Sequence, residues 1–170
     1  MAVIPENSAI RGRGVRWAMV GTVAAVVVAD QVSKSLVLRA HPVAGTGLVT
    51  VDLVRNTGAS GGIAAGYPVL VTLSAIVIAC LAGALAARAS ARWVAIFLAA
   101  VLGGALGNLS DRIFRSPGFG RGAVVDWIHV AGRGGSFNVS DLAIQLGVIG
   151  AIVAMFVADR SRKARPQPAE

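Results

Sequence analysis

Charge is what this sequence has least of. Of its 170 residues only 14% are charged, against roughly 25% in a soluble domain. With 55% hydrophobic residues and a mean hydropathy of +0.72, that scarcity excludes an ordinary water-soluble globule. Cysteine is almost absent: Cys80 stands alone inside an apolar run, so no intrachain disulfide can brace the fold. The two histidines, His41 and His129, are far from any Cys or further His at ligand spacing, and no metal site or other cofactor is expected. There is no long repeat and no separate soluble domain.

What the chain does have is long apolar runs. Four of them, at about 17–38, 68–87, 93–113 and 139–158, are each about 20 residues long, enough to cross a hydrocarbon core of roughly 30 Å as helices. The predicted fold class is therefore an all-α membrane protein, one domain over 1–170 with four transmembrane helices and a basic tail over 159–170. Arg11, Arg13 and Arg16 ahead of the first run resemble the head of a cleaved signal peptide. Asp30 and Lys34 then follow at helical spacing instead of a small-residue cleavage site, so the run is read as a retained span. The net charge of +8 would suggest nucleic acid in a soluble chain. Here the basic residues flank hydrophobic runs, where they orient spans and meet anionic lipid, so membrane lipid is the expected partner and nucleic acid is not. An even number of spans puts both tails on one side. Nine basic residues (Arg11, Arg13, Arg16, Arg88, Arg92, Arg160, Arg162, Lys163, Arg165) fall on that side and six on the other, which makes the termini cytoplasmic and the two long connections external.

In the first connection "GLVTVDLVRN" is rich in β-branched residues that partly alternate, predicting a short interfacial strand. The following "NTGASGGIAAG" has Gly58, Gly61, Gly62 and Gly66, read either as close backbone approach or as a flexible loop.

A few polar residues within or beside the runs need explaining, because a carboxylate at membrane depth is costly unless answered. "DQVSK" sets Asp30 and Lys34 on one helix face, a structural pair worth only a few tenths of a kcal/mol where exposed. "GGALGNLSDRIFR" combines Gly103, Gly104 and Gly107, which allow tight helix contact, with Asn108 and Arg112 four apart, able to grip a peptide backbone or a lipid carbonyl. The bland alternative is an Asp111–Arg112 anchor at the interface. "VVDWIHV" embeds Asp126 among apolar neighbours. In "FNVSD", Asn138 can cap the fourth helix and place Asp141 near its third position, where the helix dipole favours negative charge. Taken together, Asp126 and Asp141 make a second reading available: two carboxylates a few ångströms apart share a proton, and such a pair activates water while polarising a carbonyl, as in aspartic proteases.

The ordered set "DQVSK", "NTGAS", "GGALGNLSDR", "VVDW" and "FNVSD" resembles the lipoprotein signal peptidase (signal peptidase II) family along nearly the whole stretch from Asp30 to Asp141. The resemblance implies an inner-membrane aspartic endopeptidase that removes the signal peptide from diacylglyceryl-modified prolipoproteins just before the lipidated cysteine. It needs no cofactor and no obligatory protein partner, and its site faces the outer side. By position it implies Asp126 and Asp141 as the catalytic pair. Asn56, Gly58, Asn108, Arg112 and Asn138 fall on substrate-groove positions, and Asp30, Lys34 and Asp111 on supporting ones. The β-rich connection resembles the family's extracytoplasmic cradle. This chain departs from the usual pattern at Gly61, where an aromatic residue is common, at Trp127, where phenylalanine is, and at Ser140, where alanine is. Two other classes compete with that reading: a small proton-coupled transporter using the same carboxylates, disfavoured by the lack of acids in the inner halves of the spans, and a noncatalytic membrane scaffold.

Overall fold

The computed structural model describes residues 6–40, 47–59, 63–132 and 134–163, with only the backbone described at residues 6–11 and 162. His41, Gly61, Gly62, Arg133 and Arg165 lie outside the described residues. Four long helices form the protein: α1 (Glu6–Ala40), α2 (Pro68–Arg88), α3 (Arg92–Phe114) and α4 (Val139–Lys163). All four are long and apolar enough to cross a membrane. Each expected run is found. The main differences are at the basic ends, where α1 begins well before residue 17 and α4 continues through Lys163, since no proline falls within 6–16 or 159–163 to stop the helix. Of the basic tail, 159–163 is thus helical and 164–170 lies outside the described residues. Pro68 opens α2 at the position where its missing N–H costs nothing.

Helix α3 packs against the other three. Its buried face is made of small residues, among them Ala95, Ala99, Gly103, Gly104, Ala105 and Gly107, so the backbones approach closely, as expected where lipid leaves no hydrophobic drive between helices. At Gly104 an added Cβ would strike the Ser140 carbonyl, and at Gly107 it would strike the Ser140 hydroxyl and come within 2.9 Å of Asp30 Oδ2. The large apolar side chains, such as Leu70, Leu81, Leu146 and Phe156, point outward, which is the arrangement of a bundle whose solvent is hydrocarbon.

A three-stranded antiparallel sheet sits on one end of the bundle. It consists of β1 (Val49–Asn56), β2 (Val124–Val130) and β3 (Ser136–Phe137), in the order β1-β2-β3. The sequence pattern anticipates β1 but neither β2 nor β3. Because β1 comes from the α1–α2 connection and β2 from the α3–α4 connection, their pairing puts both long connections at the same end. Val54 is opposite Asp126 and Val51 opposite Ile128, so the register slips by one residue across Asp52 and Leu53, a β-bulge. Val124 and Asp126 share a face of β2, and that face is turned toward the helices. What holds it there is Asp111 of α3, whose Oδ2 accepts the Val125 N–H at 3.1 Å.

Candidate active site

The sheet end contains two adjoining polar clusters. The deeper one is built on Lys34, fully buried in the last turns of α1. Its ammonium donates to Asp30 Oδ2 at 2.7 Å, to Asp111 Oδ2 at 2.8 Å and to Asn108 Oδ1 at 3.0 Å. Those three contacts use all three donors. Asp111 Oδ1 accepts from Arg115 Nε at 2.6 Å and from Gln31 Nε2 at 3.2 Å, and Asp30 Oδ1 accepts the Ser140 N–H at 2.9 Å. The Asp30–Lys34 pair, expected to be structural, is thus the centre of a dehydrated network, and Asp111 finds its cations in Lys34 and Arg115 rather than forming an anchor with Arg112. Asp30 also serves as a remote cap, satisfying an amide in the first turn of α4. The Ser140 hydroxyl itself is buried without a hydrogen-bond partner among the described residues.

The shallower cluster contains Asp126 and Asp141. Asp126 Oδ1 accepts from Asn138 Nδ2 at 2.6 Å and its Oδ2 from Asn56 Nδ2 at 3.0 Å. Asp141 Oδ1 accepts from Asn108 Nδ2 at 2.8 Å and its Oδ2 from the Asn138 N–H at 3.2 Å. All four carboxylate oxygens therefore have a donor, and three asparagine side chains supply three of them. The amide orientations are fixed by groups that can only donate. The Asp141 N–H donates to Asn138 Oδ1 at 3.0 Å, which turns Asn138 Nδ2 toward Asp126 and toward Asn108 Oδ1, 3.1 Å away. Lys34 donates to that same Asn108 oxygen, which leaves Asn108 Nδ2 for Asp141.

Asn138 caps α4, and Asp141 returns a bond to the Asn138 N–H, a reciprocal capping box. The cap expected at Asn138 is thus present, and the NH₂ of the same side chain donates to Asp126. Burial pushes the Asp126 carboxyl up to about 6, with the Asp141 charge adding to the rise, while hydrogen bonds from Asn56 and Asn138 oppose it.

Both aspartates open onto one cavity of about 360 Å³ between α2, α3, α4 and β2. Asn56, Gly58, Asn108 and Arg112 line it as well. Asn138 does not reach its wall: the side chain is fully buried and touches the cavity only through the two carboxylates it holds. Arg112, expected to grip a backbone, grips the chain's own, donating to the Gly58 and Thr57 carbonyls. The turn it holds is further closed by Asn56, which accepts the Gly58 N–H at 2.9 Å and donates to the Ala59 carbonyl at 3.1 Å. Asp30, Lys34 and Asp111 stand behind this wall. Sequence reasoning missed Gln31 and Arg115 as members of the deeper cluster, although Arg115 lies four residues from Asp111, the same signal that drew attention to Asp30 and Lys34. Among the described residues no group of three His, Cys, Asp or Glu side chains is placed to hold a metal ion.

Comparison with known proteins identifies a family. A family model described as signal peptidase (SPase) II matches residues 22–157. The chain is similar to the lipoprotein signal peptidase of Mycolicibacterium smegmatis, 41% identical over 156 residues that cover 88% of this chain and 66% of the relative. It is likewise similar to that of Rhodococcus jostii, 40% identical over 119 residues that cover 68% of this chain and 60% of the relative. The chain thus spans somewhat under two thirds of the length of these curated relatives. In fold it is similar to a solved bacterial membrane enzyme, determined by the in meso method at 2.3 Å resolution, with a TM-score of 0.73 over 89% of this chain and 94% of the other at 22% identity.

Proposed function

The chain belongs to the signal peptidase II family, and from that premise we propose that it is a membrane aspartic endopeptidase. Its substrate is a diacylglyceryl-modified prolipoprotein, cut just before the lipidated cysteine. The observation that carries this reading is the pair Asp126 and Asp141, each oxygen held by a donor, side by side in one cavity at the end of four apolar helices.

Two carboxylates in such a setting bind one proton between them, because burial and mutual repulsion oppose double ionisation. With one proton on the pair, the ionised carboxylate takes a proton from water as the water oxygen attacks the scissile carbonyl. The protonated one donates its proton to the carbonyl oxygen. Collapse of the tetrahedral species breaks the C–N bond: the leaving amine takes up a proton from one carboxyl while a hydroxyl on the tetrahedral carbon returns one to the other carboxylate, which restores the singly protonated pair. Asn108 and Asn138 act as positioning residues that keep both carboxylates aimed into the cavity. Asn56, Gly58 and Arg112 form the wall against which the substrate backbone lies. Asp30, Lys34 and Asp111 hold the ends of α1, α3 and α4 together beneath it. A signal peptide is itself an apolar helix, so the site that cuts it has to be polar, at the membrane edge and shielded by protein.

The distribution of basic residues supports a multi-pass protein of the bacterial inner membrane with both termini cytoplasmic and the cavity toward the outer face. A proton carrier needs acids along a path through the membrane. Among the described residues the acids inside the spans cluster at the sheet end, apart from Asp159 at the far end of α4.

The test is cleavage of one precursor, with and without its diacylglyceryl group, by the purified protein in detergent. We expect the lipidated form to be cut before its modified cysteine and the unlipidated form to be left intact. Equal cleavage of both overturns the assigned substrate, and cleavage of neither overturns the peptidase reading.

A further inference from the structure

Between Asp141 and Asp159, α4 carries a single side chain that can hydrogen-bond, that of Gln145. It lies in a membrane span, is exposed, lines the same cavity as the aspartates, and has no hydrogen-bond partner among the described residues. An amide left without a partner at that depth is costly, and where it faces a cavity it marks a position that a ligand fills. The cavity wall around it is otherwise mostly apolar: Val71, Ala75 and Ile78 on α2, and Ile144 on α4.

Helix α4 starts at the sheet and runs into the apolar part of the bundle, so Gln145 is one turn deeper than Asp141. Four residues of helix rise about 6 Å, the length of about two residues of extended chain. A signal segment cut at the aspartates enters from the membrane, with the residues before the cut lying deeper than the cut itself. To expose its scissile carbonyl the segment has to unwind there, and each unwound residue leaves a main-chain N–H and C=O without their helical partners in a poorly hydrated cavity. A glutamine carboxamide has both an acceptor and donors, so it can satisfy one such residue.

We propose that Gln145 binds the main-chain amide of the signal segment about two residues before the scissile bond, holding the unwound stretch in line with Asp126 and Asp141. This rests on the peptidase reading above. It makes Gln145 a substrate-positioning residue, one that recognises backbone rather than side chains.

The experiment is a cycle between Gln145→Leu and lipidated precursor peptides in which single backbone amides before the cut are replaced in turn by esters. An ester removes the N–H and weakens the neighbouring carbonyl as an acceptor. Q145L removes a polar group from an apolar span, so its unfolding midpoint in detergent should equal or exceed that of the wild type. We expect it to lower kcat/KM on the all-amide peptide about tenfold, the scale of one hydrogen bond that leaves a polar group unsatisfied when lost. One ester, at about the second residue before the cut, should slow the wild type and have no further effect on Q145L. The inference is overturned if Q145L cleaves like the wild type, or if every ester slows both proteins equally. A wild-type protein unable to cleave the all-amide peptide removes the peptidase reading itself, and this inference with it.

Discussion

Asp126→Asn and Asp141→Asn are each expected to lower kcat on a lipidated precursor by about 10³-fold or more, within the range that loss of a positioned proton-transfer group produces. The single changes should be nearly as damaging as the double, because a pair that acts as a unit is not additive. Both variants should be somewhat less stable as well. Each aspartate oxygen accepts from an amide donor, and the NH₂ of an introduced asparagine turns a donor toward one of them, a loss of about 1–3 kcal/mol. The unfolding midpoint in detergent separates the two effects: a modestly lowered midpoint with nearly all activity gone is the expected combination. A variant that retains full turnover removes its aspartate from the mechanism.

Lys34→Met is expected to have the largest effect on stability. The ammonium is fully buried between Asp30 and Asp111; without it, the two carboxylates of the deeper cluster keep, among the described residues, a direct ion pair only with Arg115. Breaking a buried ion pair by removing one partner costs about 3–5 kcal/mol, because a charge is left buried and uncompensated. The double variant Asp30→Asn with Lys34→Met should recover part of that loss, whereas two independent surface effects would simply add. Thermal unfolding of the three proteins in one detergent checks this. Activity should fall further than stability alone explains, since Lys34 also fixes the Asn108 amide that points at Asp141. A Lys34→Met protein as stable as the wild type would contradict the buried network.

The long-range parts of this site were the parts hardest to see in the sequence. The four helices are legible because a bilayer imposes a length and a polarity that any 20-residue window displays. Strand β1 shows itself through its β-branched run. Strand β2 does not, because "VVDWIHV" is short and apolar and owes its state to pairing with a segment some seventy positions earlier, which periodicity cannot report. The Asp30–Lys34 spacing is visible, but its worth depends on whether water reaches it, and that is decided by Gly103, Gly104 and Gly107, which bring α3 up against α1 and α4. Asn138 shows most clearly how little a local reading holds. Read alone, it is a helix cap, and the structure uses its oxygen for that while its NH₂ donates to Asp126 on another element. Arg112 fits a backbone-gripping residue in both descriptions, yet the backbone it holds here is the Thr57–Gly58 turn.

The proposed cleavage requires one proton to be shared by Asp126 and Asp141, and the pH dependence of kcat/KM on a lipidated precursor tests this most directly. The Asp126 carboxyl, raised to about 6 by burial, keeps its proton below that pH and releases it above. Activity should therefore fall on the alkaline side, at about pH 6 or higher, as the pair becomes doubly ionised, and fall again toward acid as the second carboxylate is protonated. A bell with both limbs belonging to the pair is the expected result. A rate constant that stays flat across the range in which the protein remains folded would contradict it.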